Sequence, residues 1–565
     1  MPVPSSLVAA SSLSSLSSVY SRLSSIAPTP SLPTPSQTPT APPQTPEITI
    51  EDAVKEIEAI VRNGGVPRPW TVADSDSNRT VSPRYPPVSY PAAPIEVDVV
   101  IVGGGYSGLM SGYDLQKAGV KAVVLEAKYR LGGRSFSAAL KSGPGVVELG
   151  ATWINKITQP KVFALTEKFG IATQEQYTEG TTLFQGLDGL PMRQGGNETA
   201  QNQTMDPSIV ETARKVERVV ELVDEASKAM NIRNFTAFPK SEDVTVEAYI
   251  KQKGSGLLDD PTAKAVLNHI TTSIVARSPS DVGAHYFFDY VKSGFGFASL
   301  VSEGKMGAQS LLLPEGTSAI TKALASGMEP GSVFTHSPVV GISQLENGVT
   351  VTTLGGQRFQ AKKVILANPT NTYHNIDFYP PLPYGKRALV SRTMKGFYAK
   401  YIVTYSAPWW KEAGLQGKFT SLLGPINFGW DISVDATRQY SLAFFISGAM
   451  RNKWSEMNEL SKQEAIIDHL ATLVGPELAD KARDVLEINY VDWTTQEWLE
   501  GGPTSSMGPG LLREYGEHLR APFKNLVFSG GETAYEWKGY LEGAITSGNR
   551  AAKEVIASLK GNCTI

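Results

Sequence analysis

Apolar positions along this 565-residue chain fall into two kinds of run, and their order predicts alternating strands and helices. Val97 and Val99 to Val102 form a short unbroken apolar stretch, and 121–126 (KAVVLE) forms a second, each of a length and composition that suits a strand buried on both faces. Between them 107–117 carries a helical pattern, ended by Ala118-Gly119. Further strands are expected at 146–154, at 337–342 with its hairpin through 348–351 and Phe359, and at 363–367, 396–405 and 440–446. Helical periodicity recurs in SIVETARKVERVVELVDEASKAM, around 462–473 and 477–485, and from about Leu541 onward. A further amphipathic helix is expected at 49–63, where Ala53, Val54, Ile57, Ile60 and Val61 share a face. Residues 1–46 are mostly Ser, Pro, Thr and Ala, which cannot bury enough apolar surface to offset ordering entropy, so the region 1–94 is expected to be disordered around that helix.

The first strand breaks into Gly103-Gly104-Gly105-Tyr106-Ser107-Gly108. That order, strand then glycine turn then helix, makes a dinucleotide site: Gly103 permits the turn, Gly105 admits a pyrophosphate, and Gly108 lets helix and strand pack closely. Ser107 opens the helix, whose N-terminal amides face the phosphates. Glu126, at the end of the second strand, stands where a carboxylate can accept ribose hydroxyls. Charge narrows the partners, since 52 basic and 55 acidic residues leave a net of −3, unlike a nucleic-acid-coating surface. The single cysteine and the scattered spacing of six histidines speak against a metal centre. No stretch is long and apolar enough to span a membrane, and without a basic n-region or apolar core at the start a cytoplasmic location is favoured, with secretion left open.

Several stretches match a known family. Glu126-Ala127 continuing to Gly132-Gly133-Arg134 resembles the LEAxxRxGGR run of flavoproteins related to amine oxidases, and Glu148-Leu149-Gly150-Ala151-Thr152-Trp153 resembles their segment beside the flavin. Residues 285–297, 304–313 and 313–320, the strand carrying Val339, and the block 525–544 with Gly531, Glu532, Tyr540 and Leu541 extend the match. The chain therefore resembles the flavin-containing amine oxidases of the monoamine oxidase superfamily and is most similar to fungal forms. That resemblance implies FAD rather than NAD. It also implies an α/β architecture in which a Rossmann-like FAD-binding domain (95–155, 310–369 and 522–560) is interrupted by an α+β substrate domain (156–309 and 370–521).

By the same resemblance Gly133 and Arg134 reach the diphosphate, Val339 lies on the adenine, and Glu532 reaches the ribityl or diphosphate region. The helix from Leu541 aims its positive end at the pyrimidine edge of the ring. Tyr540 becomes one wall of an aromatic pair around the substrate nitrogen, and Gln309 a cavity glutamine. Two positions depart from the pattern. Asn375, beside His374, is read as standing where many relatives place a lysine that holds a water against the flavin. Pro503 or Thr504 occupies the position of the flavin-bonded cysteine, so FAD should be held noncovalently. The second aromatic wall falls near Thr504, and Trp493 or Trp537 is expected to substitute.

The implied reaction oxidises a small-molecule amine to an imine, hydrolysed to aldehyde or ketone plus ammonia, with O2 reduced to hydrogen peroxide. An oxidase or oxidative cyclase of secondary metabolism, and an inactive FAD-bound scaffold, stay open as alternatives.

Overall fold

The computed structural model describes residues 93–194, 207–346, 348–447 and 450–561. The expected helix at 49–63 and the Ser/Pro-rich leader lie outside these residues. A parallel sheet of five strands runs in the order Val333–Phe334, Ala122–Leu125, Val99–Val102, Lys363–Leu366, Leu526–Phe528. All four residues of Val99–Val102 are buried, because both faces of the strand are covered. Val99 and Ile101 pack on one side against Leu109 of the helix Tyr106–Lys117 and Ile545 of the helix Leu541–Leu559. On the other side Val100 and Val102 meet Val349, Val351 and Phe359 of a second sheet.

That second sheet joins Ile95–Glu96, Arg358–Ala361, Gly348–Thr353, Val339–Leu345 and Asp377–Tyr379. The last of these strands comes after residue 369, where the sequence reading had placed the end of this stretch.

A seven-stranded sheet forms the other large layer, with Tyr398–Tyr405 hydrogen-bonded between Glu487–Asp492 and Tyr440–Ser447. Its two faces differ by strand parity. Ala399, Tyr401 and Val403 turn outward onto Trp410, Trp454 and Leu470. Tyr398 and Ile402 turn the other way, toward Phe428, Phe445 and Trp493. Helices Pro207–Lys228, Val246–Lys253, Pro261–Val275 and Ala284–Ser293 share a third core cluster. Among the described residues no helix is long and apolar enough to cross a membrane, and no group of three or more His, Cys, Asp or Glu could hold a metal.

Candidate active site

One cavity of about 500 Å³ runs from the glycine turn to the face of the seven-stranded sheet. At its first end it is lined by Gly103, Gly105, Ser107, Glu126, Ala127, Gly133, Arg134 and Val339. Glu126 is held in place by two backbone amides, Gly104 N–H on Oε2 at 2.6 Å and Lys128 N–H on Oε1 at 2.8 Å. Gly105 identifies what the space is for. Its φ of −78° suits any residue, and an added Cβ would meet no protein atom closer than 3.9 Å. The protein itself does not require glycine there; a dinucleotide lying on the helix N-terminus does. Gly108 differs, since its Cβ would fall 1.9 Å from the Gly103 carbonyl oxygen. It is absent from the wall and serves the helix–strand contact, as the motif predicts.

A second helix end meets the same cavity. Leu541 lines it at the start of Leu541–Leu559, with Gly531 and Tyr540 beside it. Two helix N-termini and one oriented carboxylate along a single elongated space fit FAD, the diphosphate and the electron-rich ring edge taking the positive helix ends.

Three of the expected residues also make contacts inside the protein. The Ser107 hydroxyl shares a hydrogen bond with Ser529 Oγ at 2.6 Å and accepts Gly530 N–H at 2.9 Å, tying the helix to the last strand. Arg134 pairs with Glu532 at 2.7 Å and donates to the Pro503 carbonyl at 2.8 Å. Only Oε1 of Glu532 is used in this way, and its buried Oε2 has no partner among the described residues. Its carboxylate neutralises Arg134, and the pair joins two blocks more than 360 residues apart in the chain.

At the other end the wall is aromatic. Tyr540 stands 6.2 Å from Tyr290, ring centre to ring centre, and Tyr398 completes a group of three phenols in the cavity. Burial pushes the pKa of all three up, so they stay neutral. The turn carrying Tyr540 is fastened to the helix carrying Tyr290 by the buried Lys538–Asp289 ion pair and by Trp537 N–H donating to the Ser293 carbonyl at 2.7 Å.

The expected substitutes for the second wall are corrected. Trp537 packs behind Tyr540 at 5.0 Å and gives its indole N–H to the Thr158 carbonyl, outside the cavity. Trp493 does line the cavity, but its N–H bonds the Leu149 carbonyl and its ring lies 5.9 Å from the Arg130 guanidinium, with no ring contact to Tyr540 among the described residues. Thr504 is buried 3.4 Å from the Tyr286 hydroxyl.

Asn375 also lines the cavity. Its amide donates to Glu500 at 3.0 Å, while Asn371 holds the Glu500 carbonyl at 3.0 Å. Together they brace a segment in which Trp498 and Glu500, neither of them glycine, take positive φ of 66° and 52°. A lysine lines the same cavity from another element. Lys400, on the inward face of Tyr398–Tyr405, is 1 % exposed, lines the cavity, and donates to the Gly150 carbonyl at 3.1 Å and to Thr152 Oγ1. Its ammonium lies 4.9 Å from the Phe445 ring centre and 5.7 Å from that of Trp153.

Burial pushes Lys400 down and Glu148 up, and their mutual attraction opposes both shifts. Spacing from flanking motifs put the lysine at 375. The available signal was parity: a lone charge in a strand apolar on both faces needs a partner or a task. We expect Asn375→Ala to weaken FAD binding by no more than about tenfold, the scale of one hydrogen bond, and to leave kcat at saturating FAD unchanged. Titration of the apoprotein with FAD, followed by turnover at saturation, checks this.

Gln309 also lines the cavity, donating to the Leu300 carbonyl at 2.9 Å while its Oε1 has no partner among the described residues. Ala151, Thr152 and Trp153 lie along the wall beside Lys400.

Comparison with known proteins agrees with this geometry. Residues 106–556 match the family model described as flavin containing amine oxidoreductase. A protein named probable flavin-containing monoamine oxidase A from Dictyostelium discoideum is 29% identical over 81% of this chain and 97% of its own length. An L-amino acid dehydrogenase from Synechocystis is 28% identical over 84% of this chain and 98% of its own length. The solved structure of putrescine oxidase bound to putrescine is 26% identical, with a TM-score of 0.73 over 82% of this chain and 100% of that one.

Proposed function

The chain belongs to the flavin-containing amine oxidoreductases, and from that premise we propose that its substrate is a monoamine with a largely apolar body, oxidised on noncovalently held FAD. The general activity follows from the family and its relatives: an FAD-dependent oxidase acting on amines. When bound, FAD supplies the hydride acceptor for the carbon bearing the amine and passes the electrons on to O2. The rest is the work of the chain's own residues. Tyr290, Tyr398 and Tyr540 exclude water at the reacting end, and an environment of that polarity favours the neutral amine over the ammonium. Lys400, destabilised as an ammonium by burial, can hold or release a proton at Nζ beside them.

One observation carries the substrate class. Among the described residues lining the cavity, Glu126 is the only carboxylate, and it stands at the dinucleotide end. The remaining space is walled by residues such as Leu183, Phe184, Val266, Ile270, Leu300 and Leu422. A second ammonium, as in putrescine, would be buried there without a counter-charge. A substrate carboxylate fares no better, because Arg134 is paired with Glu532, Lys418 with Glu303 at 2.6 Å, and Lys400 is destabilised as an ammonium by burial with Glu148 as its nearby opposite charge.

We expect kcat/KM for hexylamine or benzylamine to exceed that for putrescine and for L-leucine by about a hundredfold or more, in keeping with the cost of an unpaired buried charge. Peroxide release with matching ammonia measures it, and comparable rates on putrescine would overturn the monoamine reading.

A further inference from the structure

The helix Pro261–Val275 presents Val266, His269, Ile270, Ser273 and Ile274 to the cavity, a spacing that keeps all five on one face. Two of them are polar in an otherwise aliphatic stripe. Asn427 orients both. Its Nδ2 turns its two protons toward the hydroxyl oxygens of Ser447 at 2.6 Å, Ser273 at 3.2 Å and Thr272 at 3.4 Å, sharing them among the three, so its Oδ1 is the atom 2.6 Å from His269 Nδ1.

Nδ1 therefore carries the proton, and Nε2 is left as a bare acceptor. Burial keeps the ring uncharged, drawing its pKa down to about 4. Neither Nε2 nor the Ser273 hydroxyl proton has a partner among the described residues. One acceptor and one donor thus stand a single helical turn apart on the cavity wall.

The pair is offset from the reacting end by one ring, since Phe428 lies against both His269 and Tyr398, 6.3 Å from each. Phe428, edge-on to His269 at 6.3 Å, stacks on Phe445 at 4.6 Å, and Phe445 lies 5.5 Å from Tyr398. The complement of an acceptor beside a donor is a hydroxyl, which gives its proton to Nε2 and accepts one from Ser273. An ammonium is a poor match because no cavity carboxylate stands at this end.

We propose that His269 and Ser273 form a subsite for a hydroxyl on the tail of the amine, so that the preferred substrate is an amino alcohol rather than the plain alkylamine. This rests on the amine-oxidase reading given above. The test uses the FAD-loaded enzyme under anaerobic conditions, titrated with linear alkylamines of graded length and with the ω-hydroxylated counterpart of each. Binding is read as heat, and oxidation separately as flavin bleaching.

At one chain length the amino alcohol is expected to bind about tenfold tighter, the worth of the added hydrogen bonds. His269→Leu and Ser273→Ala should each diminish that preference, and His269→Gln, which keeps an acceptor, should retain part of it. No preference at any length, or one that survives both His269→Leu and Ser273→Ala, overturns the subsite. Preferential binding without bleaching upholds the subsite and overturns the oxidase reading, whereas bleaching without preference does the reverse.

Discussion

Gly105→Val gives a protein that folds and purifies without FAD. A side chain at this position costs the apoprotein little, because φ is ordinary and no protein atom lies within 3.9 Å of the added Cβ. The new methyl groups instead fill the space where a diphosphate must come close to the helix N-terminus. Affinity for FAD should fall at least about a hundredfold, close to 3 kcal/mol, while the melting temperature of the FAD-free protein stays where it was. Gly108→Ala is the contrast. Its Cβ would lie 1.9 Å from the Gly103 carbonyl oxygen and 3.2 Å from Ile101 Cγ2, so helix and strand must part and the apoprotein itself loses about 1–3 kcal/mol. Reconstitution with FAD together with thermal melts of both variants distinguishes them. A Gly105→Val protein that binds FAD normally would remove the dinucleotide from this end of the cavity.

Lys400→Met should leave FAD binding nearly intact and lower the rate of anaerobic flavin reduction by about a hundredfold, the usual worth of one positioned acid–base group. Methionine keeps most of the packing against Phe445 and Trp153 but removes the hydrogen bonds to Gly150 and Thr152. Glu148 then remains buried without its nearest positive charge, although its own hydrogen bonds from Ser137 and Thr317 persist.

The pH profile carries the sharper signature. Burial lowers the Lys400 pKa, so its uncharged form becomes available at lower pH than for an exposed lysine. Wild-type kcat/KM should therefore rise with pH through two ionisations, those of Lys400 and of the substrate amine. The variant should keep only the substrate's. An unchanged profile would show that Lys400 holds the Gly150–Thr152 segment in place and moves no proton.

Local chemistry made the dinucleotide end readable from the chain alone. A strand, a glycine turn and a helix must lie within a short stretch to cradle a diphosphate, so Gly103, Gly105, Gly108 and Glu126 are recognisable by spacing, and the fold brings them to one end of the cavity. Tyr540 and Leu541 were legible for the same reason, sitting in one continuous block with Gly531.

The substrate end is assembled from distant strands and helices, and there spacing misled. Counting from neighbouring motifs finds Asn375, which does line the cavity, but not the buried Lys400, which strand parity turns inward from position 400. The phenols around Tyr540 are likewise Tyr290 and Tyr398, from two further elements, while Trp493 lines the cavity without a ring contact to Tyr540 among the described residues and Trp537 is absent from the lining. Sequence by itself determined that a dinucleotide would be bound and on which turn, because that information lies within about forty residues. Only the tertiary structure decided which charge faces the aromatic end of the cavity, that Glu532 pairs with Arg134, and that His269 Nε2 has no partner among the described residues. Each of those depends on which side chains meet across the fold, and neither composition nor spacing encodes that.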